Sequence, residues 1–109
     1  MAYDESLARR IHAILANLPG VSEKKMFGGL AFLVHGNMSC GVVRYELMVR
    51  VGPEVYDDAL SHPHAREMDF TGRPLKGFVY VSCEGITSDG DLEDWVARGV
   101  EYARALPAK

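Results

Sequence analysis

Lys24-Lys25-Met26-Phe27-Gly28-Gly29-Leu30-Ala31-Phe32-Leu33 decides how the rest of this chain is read. A charged pair and two bulky apolar residues lead into a double glycine, and an apolar run leaves it. Glycine has no Cβ, so it takes positive φ and lets a second backbone come close; Gly28-Gly29 therefore ends one extended segment and starts the next. Upstream, the first strand covers about Val21 to Phe27. Downstream, the second runs from Leu30 to His35, and because Leu-Ala-Phe-Leu-Val is apolar at every position, both its faces should be covered. Gly36-Asn37 is a turn signal of antiparallel hairpins. It leads to a third strand, Met38–Arg44, a turn at Tyr45-Glu46, and a fourth strand, Leu47–Val51. The expectation is a meander of four antiparallel strands with very short links.

Helices flank this meander. Tyr3, Leu7, Ile11, Ile14, Leu15 and Leu18 recur at three- and four-residue steps, the spacing of one helical face. Asp4 is placed to cap that helix, Glu5 to favour its dipole, and Pro19-Gly20 to end it. Pro53 opens a short second helix, at the position where a missing N–H is harmless. Val55, Tyr56, Ala59 and Leu60 form its apolar face, and it stops near Ser61-His62-Pro63. Residues 62–76 are the least regular, with Met68-Asp69-Phe70 read as a short edge strand. Gly77–Cys83 is a strand rich in aromatic and β-branched residues. The last helix places Leu92, Trp95, Val96, Gly99, Val100, Ala103 and Leu106 on one stripe, with Ser88 or Asp89 at its cap, Asp91, Glu93 and Asp94 in its first turn and Arg104 near its end. The expected fold class is α+β: an antiparallel sheet meander with N- and C-terminal helices packed on it and a short helix after strand four, in one domain over residues 1–109.

An apolar fraction of 48% and a charged fraction of 25% are those of a soluble globular protein. The net charge of −3 is uneven. Residues 1–54 carry six basic and five acidic side chains, residues 55–109 six basic and ten acidic. Phosphate neutralisation supplies most non-specific affinity for DNA, so a chain with no dense basic face is not expected to bind nucleic acid directly. Met1–Ser6 lacks a signal-peptide pattern, and no apolar run reaches the ~20 residues that span a bilayer. Cytoplasmic localisation is the expectation. Cys40 and Cys83 lack CxxC spacing and read as two reduced, partly buried thiols.

Few residues point to chemistry. A phosphate-cradling loop would run G-x-x-x-x-G-K-[ST] into a helix, whereas Gly28-Gly29 runs into an apolar strand. Lys25, Arg50 and Lys76, if brought onto one sheet face, would suit a carboxylate or phosphate; the simpler reading is a solvated face. His62-Pro63-His64, with Asp57 and Asp58 upstream, lacks the ligand count and spacing of a zinc site, and His12 and His35 lie far off. Neither cysteine precedes a helix that would stabilise its thiolate. No catalytic residue, metal or cofactor is assigned.

Lys25-Met26-Phe27-Gly28-Gly29 followed by an apolar strand, then Leu47–Val51 and Lys76-Gly77-Phe78-Val79-Tyr80-Val81, resembles the N-terminal domain of the TfoX/Sxy family over roughly residues 5–105. The resemblance implies helices on an antiparallel sheet. Full-length members are positive regulators of bacterial competence genes that act with the cyclic-AMP receptor protein and carry a second, helical domain, for which 109 residues leave no room. The motif implies no catalytic residue. Its matching positions here, Lys25, Gly28, Gly29, Arg50, Lys76 and Gly77, carry at most a binding role. Two functions are weighed: a non-enzymatic regulatory module acting through a protein partner or a homodimer, and a small-ligand or anion-binding domain using the basic residues of the sheet. Converging Arg50 and Lys76 would favour the second, an exposed apolar patch the first.

Overall fold

The computed structural model describes residues 3–26, 28–68 and 76–108. Its elements in chain order are α1 (Glu5–Leu15), β1 (Val21–Met26), β2 (Gly29–Val34), β3 (Asn37–Val43), β4 (Glu46–Arg50), a 3-10 turn Pro53–Val55 running into α2 (Tyr56–Leu60), β5 (Ala65–Glu67), β6 (Phe78–Val81), a 3-10 turn Cys83–Ile86, and α3 (Asp89–Ala105). Six antiparallel strands form one sheet in the order β1-β2-β3-β4-β6-β5. The α+β class and the four-strand meander are as expected, and β6 extends the meander beside β4.

Several boundaries differ from the sequence reading, each for a local reason. The β2–β3 turn is His35-Gly36, not Gly36-Asn37; both residues take positive φ, 51° and 84°. That releases Asn37 to start β3, where its buried amide donates to the carbonyls of Ala103 and Pro107 at the end of α3. The next turn likewise falls one residue early, on Arg44-Tyr45, with Arg44 at φ 56°. The edge strand is Ala65–Glu67; of the expected Met68-Asp69-Phe70 strand, Met68 is a fully buried residue following it, while Asp69 and Phe70 lie outside the described residues, as do Phe27 and residues 71–75. Val55 points outward, at 43% exposure, leaving Tyr56 and Ala59 to seat α2. Strand six ends at Val81, so Cys83 is exposed on a 3-10 turn while Cys40 is buried.

Alternation along the strands sorts side chains to two faces. Phe32, Val34, Cys40, Val42, Leu47, Val49, Val79 and Val81 face the helices and join Leu7, Ile11, Leu15, Leu92, Val96 and Val100 in the main core. Ala31, Val43, Met48, Met68 and Tyr80 form a smaller cluster on the other face, so β2 is covered on both sides as its uniform apolarity requires. Asp4 caps α1 by accepting from the N–H groups of Ser6 and Leu7, and its own N–H donates to Arg44 O at 2.6 Å, tying the helix start to the sheet. Ser88 caps α3 through the Asp91 N–H.

One irregularity fixes where α3 lies. Phe32 pairs with Cys40 but Leu33 with Met38, which leaves Ser39 as an extra residue in β3. Its hydroxyl donates to Phe32 O at 2.9 Å, closing the bulge, and Gly99 of α3 sits directly on the Ser39 carbonyl where no Cβ would fit.

Candidate functional site

The six motif positions do not converge. Gly28 is at the β1–β2 tip with φ 73° and open space around it, and Gly29 opens β2 with its Cα against the Val42 carbonyl. Arg50, Lys76 and Gly77 lie at the opposite end of the sheet, where β4 ends and β6 begins. Lys25 pairs with Leu30, in the row that continues through Val42, Leu47 and Val81 on the helix face. Lys25 and Arg50 therefore lie at opposite ends of the sheet, three strands apart.

The second end is nonetheless well built. Gly77, at φ 94°, accepts from the N–H groups of Val51 (2.8 Å) and Gly52 (3.0 Å). Gly52, at φ 91°, leaves room for the Tyr102 ring, which a Cβ there would meet at 2.5 Å. The Arg50 guanidinium lies between two aromatic rings, 5.5 Å from the Phe78 centroid and 5.2 Å from that of Tyr102, with no carboxylate partner among the described residues. Such stacking holds an arginine in one orientation.

His62 accepts from Arg98 Nη2 at 3.1 Å and meets Trp95 edge-on, while Arg98 also reaches Asp58 and stacks 5.1 Å from the Trp95 ring. These contacts clasp α2 to α3. Among the described residues no His, Cys, Asp and Glu grouping could hold a metal ion. Burial pushes the Cys40 thiol up to about 12, outweighing the Ser39 hydrogen bond, so Cys40 is an inert core residue.

Among the described residues, one feature that core packing leaves open is a groove between α1 and α3. The α1 stripe buries Leu7, Ile11 and Leu15 but leaves Ile14 and Leu18 half-buried; α3 buries Val96 and Val100 but leaves Ala97 exposed. Together Ile14, Leu15, Leu18, Val96, Ala97 and Val100 line a trough of about 360 Å³ edged by Glu93 and Asp94. A second trough of about 510 Å³, including Arg10, Ala13, Asp89 and Leu92, adjoins it and shares Ile14 and Glu93. Arg10 is committed there: it donates to Ile86 O, Thr87 O and Asp89.

The sequence profile of the TfoX N-terminal domain matches residues 13–103. The chain belongs to the TfoX N-terminal domain family. A comparison with curated proteins finds no match. The matched span of this TfoX N-terminal domain runs from Ala13, part-way along α1, through all six strands to Ala103, so both apolar walls of the groove lie inside it. Among the described residues no helix is long and apolar enough to cross a membrane.

The groove is not legible in the sequence, where the apolar positions of α1 and of α3 each read as one stripe packed on a sheet. The available signal is the width of those stripes: Ile14 on α1 and Leu18 just after it, and Ala97 beside Val96 and Val100 on α3, extend past what one sheet contact covers.

Proposed function

We propose that this TfoX N-terminal domain is a non-enzymatic interaction module, docking a protein partner in the groove between α1 and α3, with transcription regulation exerted through that partner in the cytoplasm. The observation that carries the reading is the apolar trough itself. Half-buried Ile14 and Leu18 face exposed Ala97 across a floor of buried aliphatics, and Glu93 and Asp94 stand at the rim. Burial of such a surface at roughly 25 cal/mol per Å² drives association without any reacting group. The acidic rim selects a partner surface of positive sign.

Ala97→Arg fills the trough from an exposed helix position and leaves the core untouched. With wild type as bait, a polypeptide should be retained in stoichiometric amount at micromolar concentration and lost with Ala97→Arg, while the melting temperatures of the two baits agree. Equal retention by both would refute the groove as the docking site.

The stacked Arg50 favours one second reading. Its orientation is fixed and its N–H donors face no carboxylate among the described residues, so with Lys76 two residues before its strand partner Phe78 it suits an anion. Titration with inorganic phosphate, comparing wild type with Arg50→Gln, tests this; no heat change at millimolar phosphate removes it.

A further inference from the structure

We infer that the occupant of the α1–α3 groove is an amphipathic helix of about three turns whose apolar stripe is flanked by lysine or arginine. This rests on the docking reading above and adds the shape and charge of the partner.

Length comes first. The two adjoining troughs are continuous through Ile14 and Glu93, and their α3 wall runs from Asp89 to Val100. At 1.5 Å per residue this is roughly 16 Å, three turns of helix. Shape comes next. Both walls are helices, and the furrow between two packed helices receives the side-chain ridge of a third, read as apolar anchors at i, i+3 or i+4, and i+7. Ala13 and Ala97, small and exposed on opposite walls, let a helix axis come close.

Charge then fixes the class. Glu93 and Asp94 edge the trough, and Glu101 lies one turn beyond Ala97; none of these three carboxylates has an ion-pair partner among the described residues. Of the nearby cations Arg10 is engaged with Asp89, Arg98 with Asp58 and His62, and His12 with Glu23, which leaves Arg104, three residues past Glu101, against three carboxylates. Glu93 and Glu101 are roughly 12 Å apart along α3, so basic residues two turns apart on the occupant would meet both. A second copy fits poorly. A two-fold contact through the same groove brings one acidic rim against another.

The test pans a displayed library of random 16-residue peptides on the full chain, with Ala97→Arg and Glu93→Lys/Glu101→Lys as parallel targets. Wild type should enrich sequences with apolar residues at helical spacing flanked by Lys or Arg. A synthetic peptide of that pattern should lose at least tenfold in affinity against Glu93→Lys/Glu101→Lys, and bind more weakly at high salt. Helical apolar sequences without charge bias, bound equally by the charge-reversed protein, would overturn the basic-helix inference and leave the docking groove standing. If nothing is enriched on wild type over Ala97→Arg, the groove reading falls as well.

Discussion

Gly99→Ala tests how closely α3 is seated. In an open helix this change stabilises by about 1 kcal/mol, because glycine loses more backbone entropy than alanine. Here a Cβ on Gly99 would stand 2.9 Å from the Ser39 carbonyl carbon, nearer still to its oxygen, and 3.4 Å from Val49 Cγ1. Non-bonded carbons are most stable about 3.5–4.0 Å apart and the closer carbonyl oxygen demands the larger shift, so α3 must move outward by roughly 1 Å or more. The obstructing atoms are backbone, in a bulge closed by the Ser39 hydroxyl on Phe32 O, and cannot rotate aside as a side chain would. A gap of about 0.5–1 Å forfeits a quarter to a half of each dispersion contact, and Leu92, Trp95, Val96, Val100 and Ala103 all pack from the same helix.

Overpacking of this kind costs about 1–3 kcal/mol, and the rigid backbone places Gly99 toward the upper end. After the helix-propensity gain, a net loss of about 1–2 kcal/mol remains, a fall in Tm of roughly 5–10 °C for a domain of this size. Circular-dichroism melts of wild type, Gly99→Ala and Gly90→Ala provide the measurement. Gly90 is in the first turn of the same helix with nothing within 4 Å of the added methyl, so Gly90→Ala should melt at or above wild type. If both variants rise together, α3 does not rest on the Ser39 bulge and the close packing described here is refuted.

Four further outcomes follow from individual polar side chains. Under native conditions a thiol reagent should modify Cys83 alone, with Cys40 reacting only on unfolding. Because the Cys40 thiol is raised to about 12 from about 9, its contribution to stability is full below pH 9 and is lost at ~1.4 kcal/mol per unit as pH rises toward 12; Cys40→Ala should flatten the decline in urea midpoint that begins at pH 9. Asn37→Asp removes the donor to Ala103 O and Pro107 O and sets a buried charge against them, costing about 3 kcal/mol at pH 7, part of it regained near pH 4 where the acid is protonated and can donate again. The Tyr56 hydroxyl is buried with no hydrogen-bond partner among the described residues, and burial, then Glu67 and Asp57, raise its pKa, so Tyr56→Phe should leave stability unchanged or raise it by up to about 1 kcal/mol in urea titrations.

Most of the fold was legible because it is carried by short-range signals. The Asp4 and Ser88 caps, the glycine bend at 28–29 and the α3 stripe are each decided by residues within a few positions. The turns at His35-Gly36 and Arg44-Tyr45 were displaced by one residue because non-glycine residues took positive φ there, against their intrinsic preference. In the first turn, the burial of Asn37 under the end of α3 selects the register, and that contact links positions 66 residues apart. The Ser39 bulge was invisible for the same reason: Ser39 reads as an ordinary alternating residue until α3 is packed on it. The candidate site was less legible still. Lys25 and Arg50 look like partners in a sequence of scattered basic residues, but they lie at opposite ends of the sheet, three strands apart, whereas the groove is made of residues that each look like core.

The charge on α3 bears on function because stability does not account for all of it. Asp89 and Asp91 lie in the first turn, where the helix dipole favours a carboxylate. Glu93 and Asp94 lie past that turn, and Glu101 is in the C-terminal half, where the dipole disfavours negative charge. None of the three is ion-paired among the described residues, and all are exposed. Replacing Glu93 and Glu101 by glutamine keeps size and helix propensity while removing two like charges from one face. Folding stability should therefore stay within about 0.5 kcal/mol of wild type, with any change toward greater stability. A loss above about 1 kcal/mol would mean that these carboxylates hold the fold together, and the argument for a charged docking rim would lose its premise. Unchanged melting together with weakened binding of a lysine-flanked helical peptide would place both residues where the groove geometry does, on a surface whose charge serves recognition.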